Sequence, residues 1–257
     1  PVFITPYVTA GIGQVNELNE EGTYYKMSLT PKYDAGLDAK YSITNNLTVD
    51  LTLNTDFAQV EADDEKINLT RYSLYFPEKR MFFQEKSDVF DFSFLEGNNI
   101  FYSRRIGLHE GSPVRIYGGM RMTGRAGKWD LGILDMQTAP IDSNAGENFG
   151  ILRTKRNVLN QNSYIGGIFT SRLGMDGKYN IAYGADAQLR ITGDEYMTIK
   201  WAQTFENDSA NRAMDMSPSR FMLNWERRTI KGFGYNLLYS WSGEGFNPGL
   251  GFETIDT

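Results

Sequence analysis

Cysteine is absent and histidine occurs once, at His109. The first absence removes any disulfide framework and any thiolate metal site; the second removes a histidine-rich metal centre. No apolar run approaches the roughly 20 residues that a membrane-spanning helix needs. Basic excess is lacking too: 26 Lys and Arg face 32 Asp and Glu, a formal net charge of -6. That balance argues against a general nucleic-acid binder, which carries a basic footprint. The chain begins Pro-Val-Phe, without an initiator Met or a signal peptide, and ends in loop-like sequence. A segment of a longer protein is expected.

Aromatic side chains and period-two alternation are plentiful. Phe, Trp and Tyr make up 14% of the 257 residues. Such a content suits the interfacial girdles of a membrane barrel, though a β-sandwich core could also use it. The mean hydropathy of -0.44 looks soluble, but barrels do as well, because half of every strand is polar. Tyr33, Ala35, Leu37, Ala39, Tyr41 and Ile43 alternate with Asp34, Gly36, Asp38, Lys40 and Ser42. After the turn Thr44-Asn45-Asn46, Leu47, Val49, Leu51, Leu53 and Phe57 alternate with Thr48, Asp50, Thr52, Asn54 and Asp56. Side chains on a strand point to opposite faces in turn, so this hairpin has one apolar and one polar face.

The stripe recurs. Strands are expected at 2–12, 67–76, 100–106, 113–124, 129–138, 149–157, 163–172, 178–192, 197–201, 220–226 and 233–241, besides the hairpin. Residues 13–32 read as a long connection with an extended piece at 24–29. A phase change at Ile133-Leu134 suggests a bulge. Residues 77–99 read as a non-strand insertion. Short turns near 44–46, 125–128, 158–162, 193–195 and 229–232 alternate with mostly longer loops, as in outer-membrane barrels. Several strands reach the roughly 9–11 residues of a tilted transmembrane strand, beyond the usual five or six. A soluble sandwich or propeller also has many short strands. The length favours an all-β, antiparallel transmembrane β-barrel over 1–257, a segment of a larger barrel with about 13 strands.

One block sharpens this. Asn-Leu-Thr-Val-Asp-Leu-Thr-Leu-Asn-Thr-Asp-Phe-Ala-Gln-Val-Glu-Ala-Asp at 46–63 is followed by Phe-Pro-Glu-Lys-Arg-Met-Phe-Phe at 76–83. Then come Asp-Val-Phe-Asp-Phe at 88–92 and Phe-Tyr-Ser-Arg-Arg-Ile-Gly at 101–107. This resembles the DUF5916 family of bacterial outer-membrane proteins. The likeness continues at Gly118-Gly119, Thr123-Gly124, 129–135 and Asn247-Pro248-Gly249-Leu250-Gly251. The resemblance implies a membrane barrel in the bacterial outer membrane. The family's usual N-terminal domain, similar to family 9 carbohydrate-binding modules, has no counterpart here, so its sugar binding is not transferred.

The acidic loop Glu61, Asp63, Asp64 and Glu65 offers hard oxygen ligands but lacks the spacing and glycine of an EF-hand; a solvated loop is the plainer reading. No carboxylate pair stands out for glycoside chemistry, and no catalytic residue, metal or cofactor is assigned. Glu78, Lys79, Arg80, Phe82 and Phe83 form either a gate or plug in the pore or a structural clasp, with the clasp favoured. Arg104 and Arg105 either line a pore and favour anions or satisfy the carboxylates of 78–91. Asp38, Lys40, Asp50, Asn54, Arg115, Arg121, Asp186, Gln188, Arg190, Lys200, Asn224 and Glu226 are expected on the inward face. Their mixed signs argue against strong ion selectivity. His109 reads as an exposed loop residue. The expected function is porin-like passage of small polar solutes, carbohydrate-related ones among them, through a partly plugged lumen. The alternative is a structural or partner-binding barrel in an outer-membrane assembly. A glycan-processing enzyme is the weakest reading. The expected partners are outer-membrane lipid and other outer-membrane proteins, with no nucleic acid.

Overall fold

Cross-strand register puts like beside like. Leu37 faces Leu53, Ala39 faces Leu51, Tyr41 faces Val49, and Lys40 faces Asp50. Such pairs are the unit of sheet stabilisation, and they fix which face each side chain occupies. The computed structural model of the chain describes residues 1–19, 23–55, 75–94, 97–109, 112–207, 209 and 211–253. Its strands are β1 (Val2–Leu18), β2 (Tyr25–Ser42), β3 (Leu47–Leu53), β4 (Leu108–His109), β5 (Ser112–Pro113), β6 (Ile116–Ala126) and β7 (Trp129–Thr138). They continue with β8 (Glu147–Asn157), β9 (Tyr164–Gly174), β10 (Tyr179–Thr192), β11 (Glu195–Glu206), β12 (Ser219–Arg227) and β13 (Tyr235–Ser242).

Eleven strands form one antiparallel sheet in the order β1-β2-β3-β6-β7-β8-β9-β10-β11-β12-β13, and β4 pairs only with β5. The fold is therefore all-β. The sheet is open: among the described residues, β1 and β13 each pair with a single neighbour, and it does not close into a barrel. No helix among the described residues is long and apolar enough to cross a membrane.

A single excursion between β3 and β6 covers one face. It contains a one-turn helix, α1 (Met81–Gln84), and two 3-10 turns at Ser87–Phe90 and Ser103–Arg105. We call residues 75–107 the clasp. A second arm, 243–253, lies against it: Asn99 and Phe252 exchange two backbone hydrogen bonds of 2.9 Å, and the Tyr102 amide donates to Leu250 at 2.7 Å. Tyr75, Tyr102 and Phe252 pack ring to ring beside that seam.

Two apolar clusters hold the clasp to the sheet. Phe83, Phe90 and Ile106 meet Ile116, Leu134, Met136, Phe149 and Ile151. Phe92, Phe94 and Ile100 meet Ile168, Ala182, Ala202 and Met222, with Phe246 of the second arm. Each Phe, Ile, Leu or Met among them contributes about 1.5–3 kcal/mol on burial. Close approach needs small residues beneath. A Cβ on Gly132 would lie 2.8 Å from Val89 Cγ1 and 2.9 Å from a Phe90 ring carbon.

Several expectations are corrected. Residues 13–32 are mostly strand: β1 and β2 form one ribbon paired from Val2–Tyr41 to Leu18–Tyr25. Glycine, proline and polar residues there hid the alternation. Residues 100–106 are not a strand; they carry a 3-10 turn, and Ile100 and Ile106 are wholly buried by packing on the sheet. The bulge is not at Ile133-Leu134, where β7 keeps register with β8. It falls between Ile116 and Gly118. Leu134 and Met136 break the apparent alternation because their face is covered by phenylalanines of the clasp. The strand expected at 67–76 and the acidic loop Glu61–Glu65 lie outside the described residues, except for Tyr75 and Phe76.

Candidate functional site

The sheet has a covered face and a bare face. On the covered face, β6, β8, β11 and β12 each present a buried cation: Arg121, Arg153, Lys200 and Arg220. Arg121 binds Asp50 at 2.7 Å, donates to the Phe82 carbonyl, donates to the Glu85 carbonyl at 2.9 Å, and lies over the Phe82 ring. Arg153 donates to the Asp91 carbonyl at 3.2 Å and lies over Phe92. Lys200 donates to the Ser93 carbonyl at 2.5 Å and shares the Phe92 ring. Arg220 pairs with Glu253 and stacks on Phe94 and Phe246. Each cation thus fastens a backbone oxygen or carboxylate and a ring of the covering segments. Cations stack on ring faces through the aromatic quadrupole, and carbonyls satisfy the buried N–H groups.

The deepest charges are Arg153 and Asp186, 1% and 0% exposed at the side chain and joined by bidentate bonds of 2.7 and 2.6 Å. A Cβ on Gly166 would stand 2.6 Å from Asp186 Oδ1 and 2.8 Å from Arg153 Nη1. Glycine is what lets this pair close over the strand.

Within the clasp, Glu78 binds Arg80 through two bonds of 2.8 and 2.7 Å and accepts from Ser103 at 2.6 Å. Arg80 also donates to the carbonyls of Ile106 and Ser103 and lies 4.1 Å from the Phe83 ring centroid. Burial pushes the Glu78 carboxyl up, but the bonds and charge of Arg80 and the Ser103 bond outweigh it and hold it below its ordinary value. Glu85 is held down by Lys40, which outweighs its partial desolvation, with help from Arg121. Burial pushes Glu253 up despite Arg220.

The sequence-derived candidates therefore divide. Glu78, Arg80, Phe82, Phe83 and Arg121 form one network, with Lys79 half-buried beside them. Arg104 donates to the Pro77 carbonyl at 3.2 Å and sits by the Phe76 ring. Asp186 lies with Arg153 further across the sheet. Arg190 stands near the 193–194 turn, bound to the Gly193 carbonyl. Arg115 departs from the expectation. The bulge places it opposite buried Val114 and Ile116, exposed and bonded to Asn54 at 2.7 Å, off the face that Arg121 occupies. His109 is half-buried, 3.3 Å from the Asn144 amide. Among the described residues no three His, Asp or Glu converge as metal ligands.

Arg105 stands in a cleft at the long-loop end, between the covered face and the clasp. One side, about 170 Å³, is lined by His109, Asn144, Glu147, Arg172 and Lys178. The other, about 310 Å³, is lined by Arg172, Asn180, Glu206, Asn247 and Pro248; Arg105 borders both. Sequence reasoning missed Arg153, Arg172, Arg220, Glu147 and Glu206. Their signal was a charge at the covered position of an alternating strand. The bare face carries exposed Leu51, Leu152, Ile165, Phe169, Trp225 and Leu237.

An open antiparallel sheet with a fixed internal clasp defines the structural class. Residues 2–117 match the model of the family DUF5916, a domain of unknown function. No curated protein matches the chain. No solved structure does either.

Proposed function

We propose that this sheet is wall of a bacterial outer-membrane β-barrel, with its bare face against lipid and its covered face around the lumen. The contrast between the two faces carries this reading. One presents large exposed apolar side chains from β3 to β13; the other holds charges and the clasp. Contiguous exposed apolar surface of this extent marks a membrane or protein contact, and barrel walls alternate in this way. Arg156 over Trp129 at the turn end of the bare face supports an interfacial girdle there.

Small polar solutes would pass beside the clasp through the Arg105 cleft. The second reading, a structural or partner-binding barrel with a filled lumen, draws on the density of the clasp's attachments. Planar-bilayer recording of the full-length protein separates them. Discrete low-conductance openings are expected; a sealed barrel that inserts but never conducts leaves the structural reading. Failure to enter lipid vesicles removes both.

A further inference from the structure

The charges of the Arg105 cleft do not cancel in pairs. Glu147 is taken by Arg172 through bonds of 2.7 and 3.0 Å. Asp176 is taken by Lys178 at 2.9 Å. Two opposite charges remain. Arg105 uses Nε on the Gly251 carbonyl at 3.0 Å, and its terminal nitrogens have no hydrogen-bond partner among the described residues. Glu206 receives only neutral amides: Asn180 at 3.1 Å and Asn247 at 2.9 Å, both on Oε2. Its Oε1 has no hydrogen-bond partner among the described residues. Both residues line the same 310 Å³ cavity.

Fixed groups hold this arrangement. Asn180 accepts the Gly249 amide at 2.7 Å and donates to the Asn247 carbonyl at 2.9 Å, so its amide is oriented before it meets Glu206. Gly251, which anchors Arg105, belongs to the arm stitched to the clasp. Partial desolvation and the neighbouring Arg172 make the Arg105 charge costlier than that of a free guanidinium. An incoming anion would relieve it, and a cation would relieve Glu206.

We propose that this cleft binds a small zwitterion of the amino-acid or short-peptide class, its carboxylate on Arg105 and its ammonium on Glu206. The proposal deepens the solute-passage reading and rests on it for its biological meaning. A guanidinium matches a carboxylate through two parallel N–H···O bonds, and a carboxylate accepts an ammonium. A simple anion or a simple cation satisfies one pole and leaves the other bare.

The test is calorimetric titration of the full-length protein in detergent with alanyl-alanine, N-acetyl-alanyl-alanine, alanyl-alanine amide and inorganic phosphate. The free dipeptide is expected to bind saturably. Blocking either end should weaken it about tenfold or more, the scale of one charged hydrogen bond. Arg105→Gln should erase the preference for the free carboxylate and keep that for the free ammonium; Glu206→Gln should do the reverse. The blocked peptides on the unaltered protein give the same information without any variant. No dipeptide binding, blocked peptides as tight as the free one, preferences untouched by both substitutions, or binding of phosphate alone would each overturn the proposal. Conductance without dipeptide binding removes this site and leaves solute passage standing. Binding without conductance removes passage and keeps the site.

Discussion

The β1–β2 ribbon and the β6–β12 wall obey the same alternation, yet their covered sides differ. In the ribbon, Phe3 lies beside Lys40 in register and is 59% exposed. In the wall, Arg121, Arg153 and Phe149 are almost entirely buried at equivalent alternate positions. The strand pattern is common to both; among the described residues the clasp packs its rings on the wall and reaches the ribbon through the Lys40–Glu85 ion pair. Strand alternation therefore decides which face a residue occupies, whereas burial is decided by a segment whose own sequence has no strand period. Buried ions in the wall follow from that second layer. A charge under the clasp must be paired and hydrogen-bonded or it destabilises the fold.

The largest effect that would break this contrast sits at Asp186. Asp186→Leu leaves Arg153 buried without its counter-charge and is expected to cost about 3–5 kcal/mol in urea unfolding of the detergent-solubilised protein. Adding Arg153→Met should recover most of the loss, because a matched apolar pair removes the stranded charge. Asp38→Leu, on an exposed ribbon position, should change stability by no more than about 0.5 kcal/mol. Equal losses at Asp38 and Asp186 would mean that the clasp does not set the energetics of the covered face.

The bare faces of the two regions should behave alike. Leu152 in the wall is 43% exposed and Ile4 in the ribbon 64%. With lipid against both, Leu152→Arg is expected to lower stability in bilayers by about 2–4 kcal/mol, with Ile4→Arg following by an amount set by its depth. Refolding titrations in lipid vesicles measure it. A loss below about 0.5 kcal/mol at Leu152 would place water against this face and end the membrane reading.

The sequence disclosed the two regions unequally for physical reasons. Where one face is apolar throughout, as at Leu37–Tyr41 against Val49–Leu53, register and facing are legible residue by residue. Where phenylalanines of the clasp replace solvent, Leu134 and Met136 turn the polar face apolar and mimic a bulge. The irregularity at Ile116–Gly118 sits beside glycines and leaves no hydrophobic signature, so simple alternation puts Arg115 on the face of Arg121. At the site, Arg105 and the Glu78–Arg80–Phe83 segment stood out through unusual composition. Glu206 and Arg172 did not: each reads as one more charge on an alternating strand, and their partners Asn247 and Glu147 lie far away in sequence.

A smaller loss than at Asp186 or Leu152 is expected within the clasp. Glu78 titrates below its ordinary value of 4.5 because the Arg80 and Ser103 bonds outweigh its burial. A carboxyl whose folded pKa is depressed stabilises the fold fully above its unfolded value, and that contribution is lost as pH falls through the folded one. Glu78→Gln removes the charge and leaves Arg80 with carbonyl partners only, an expected cost of about 1.5–3 kcal/mol at neutral pH. Thermal unfolding of both proteins from neutral pH downward should show the gap constant until about the ordinary carboxyl value and closing below it. Glu253, pushed up by burial, shifts both curves alike and cancels in the difference. A gap that persists unchanged into strong acid would show that Glu78 holds the clasp by shape alone, and that its ion pair with Arg80 adds nothing to the distinction between wall and ribbon.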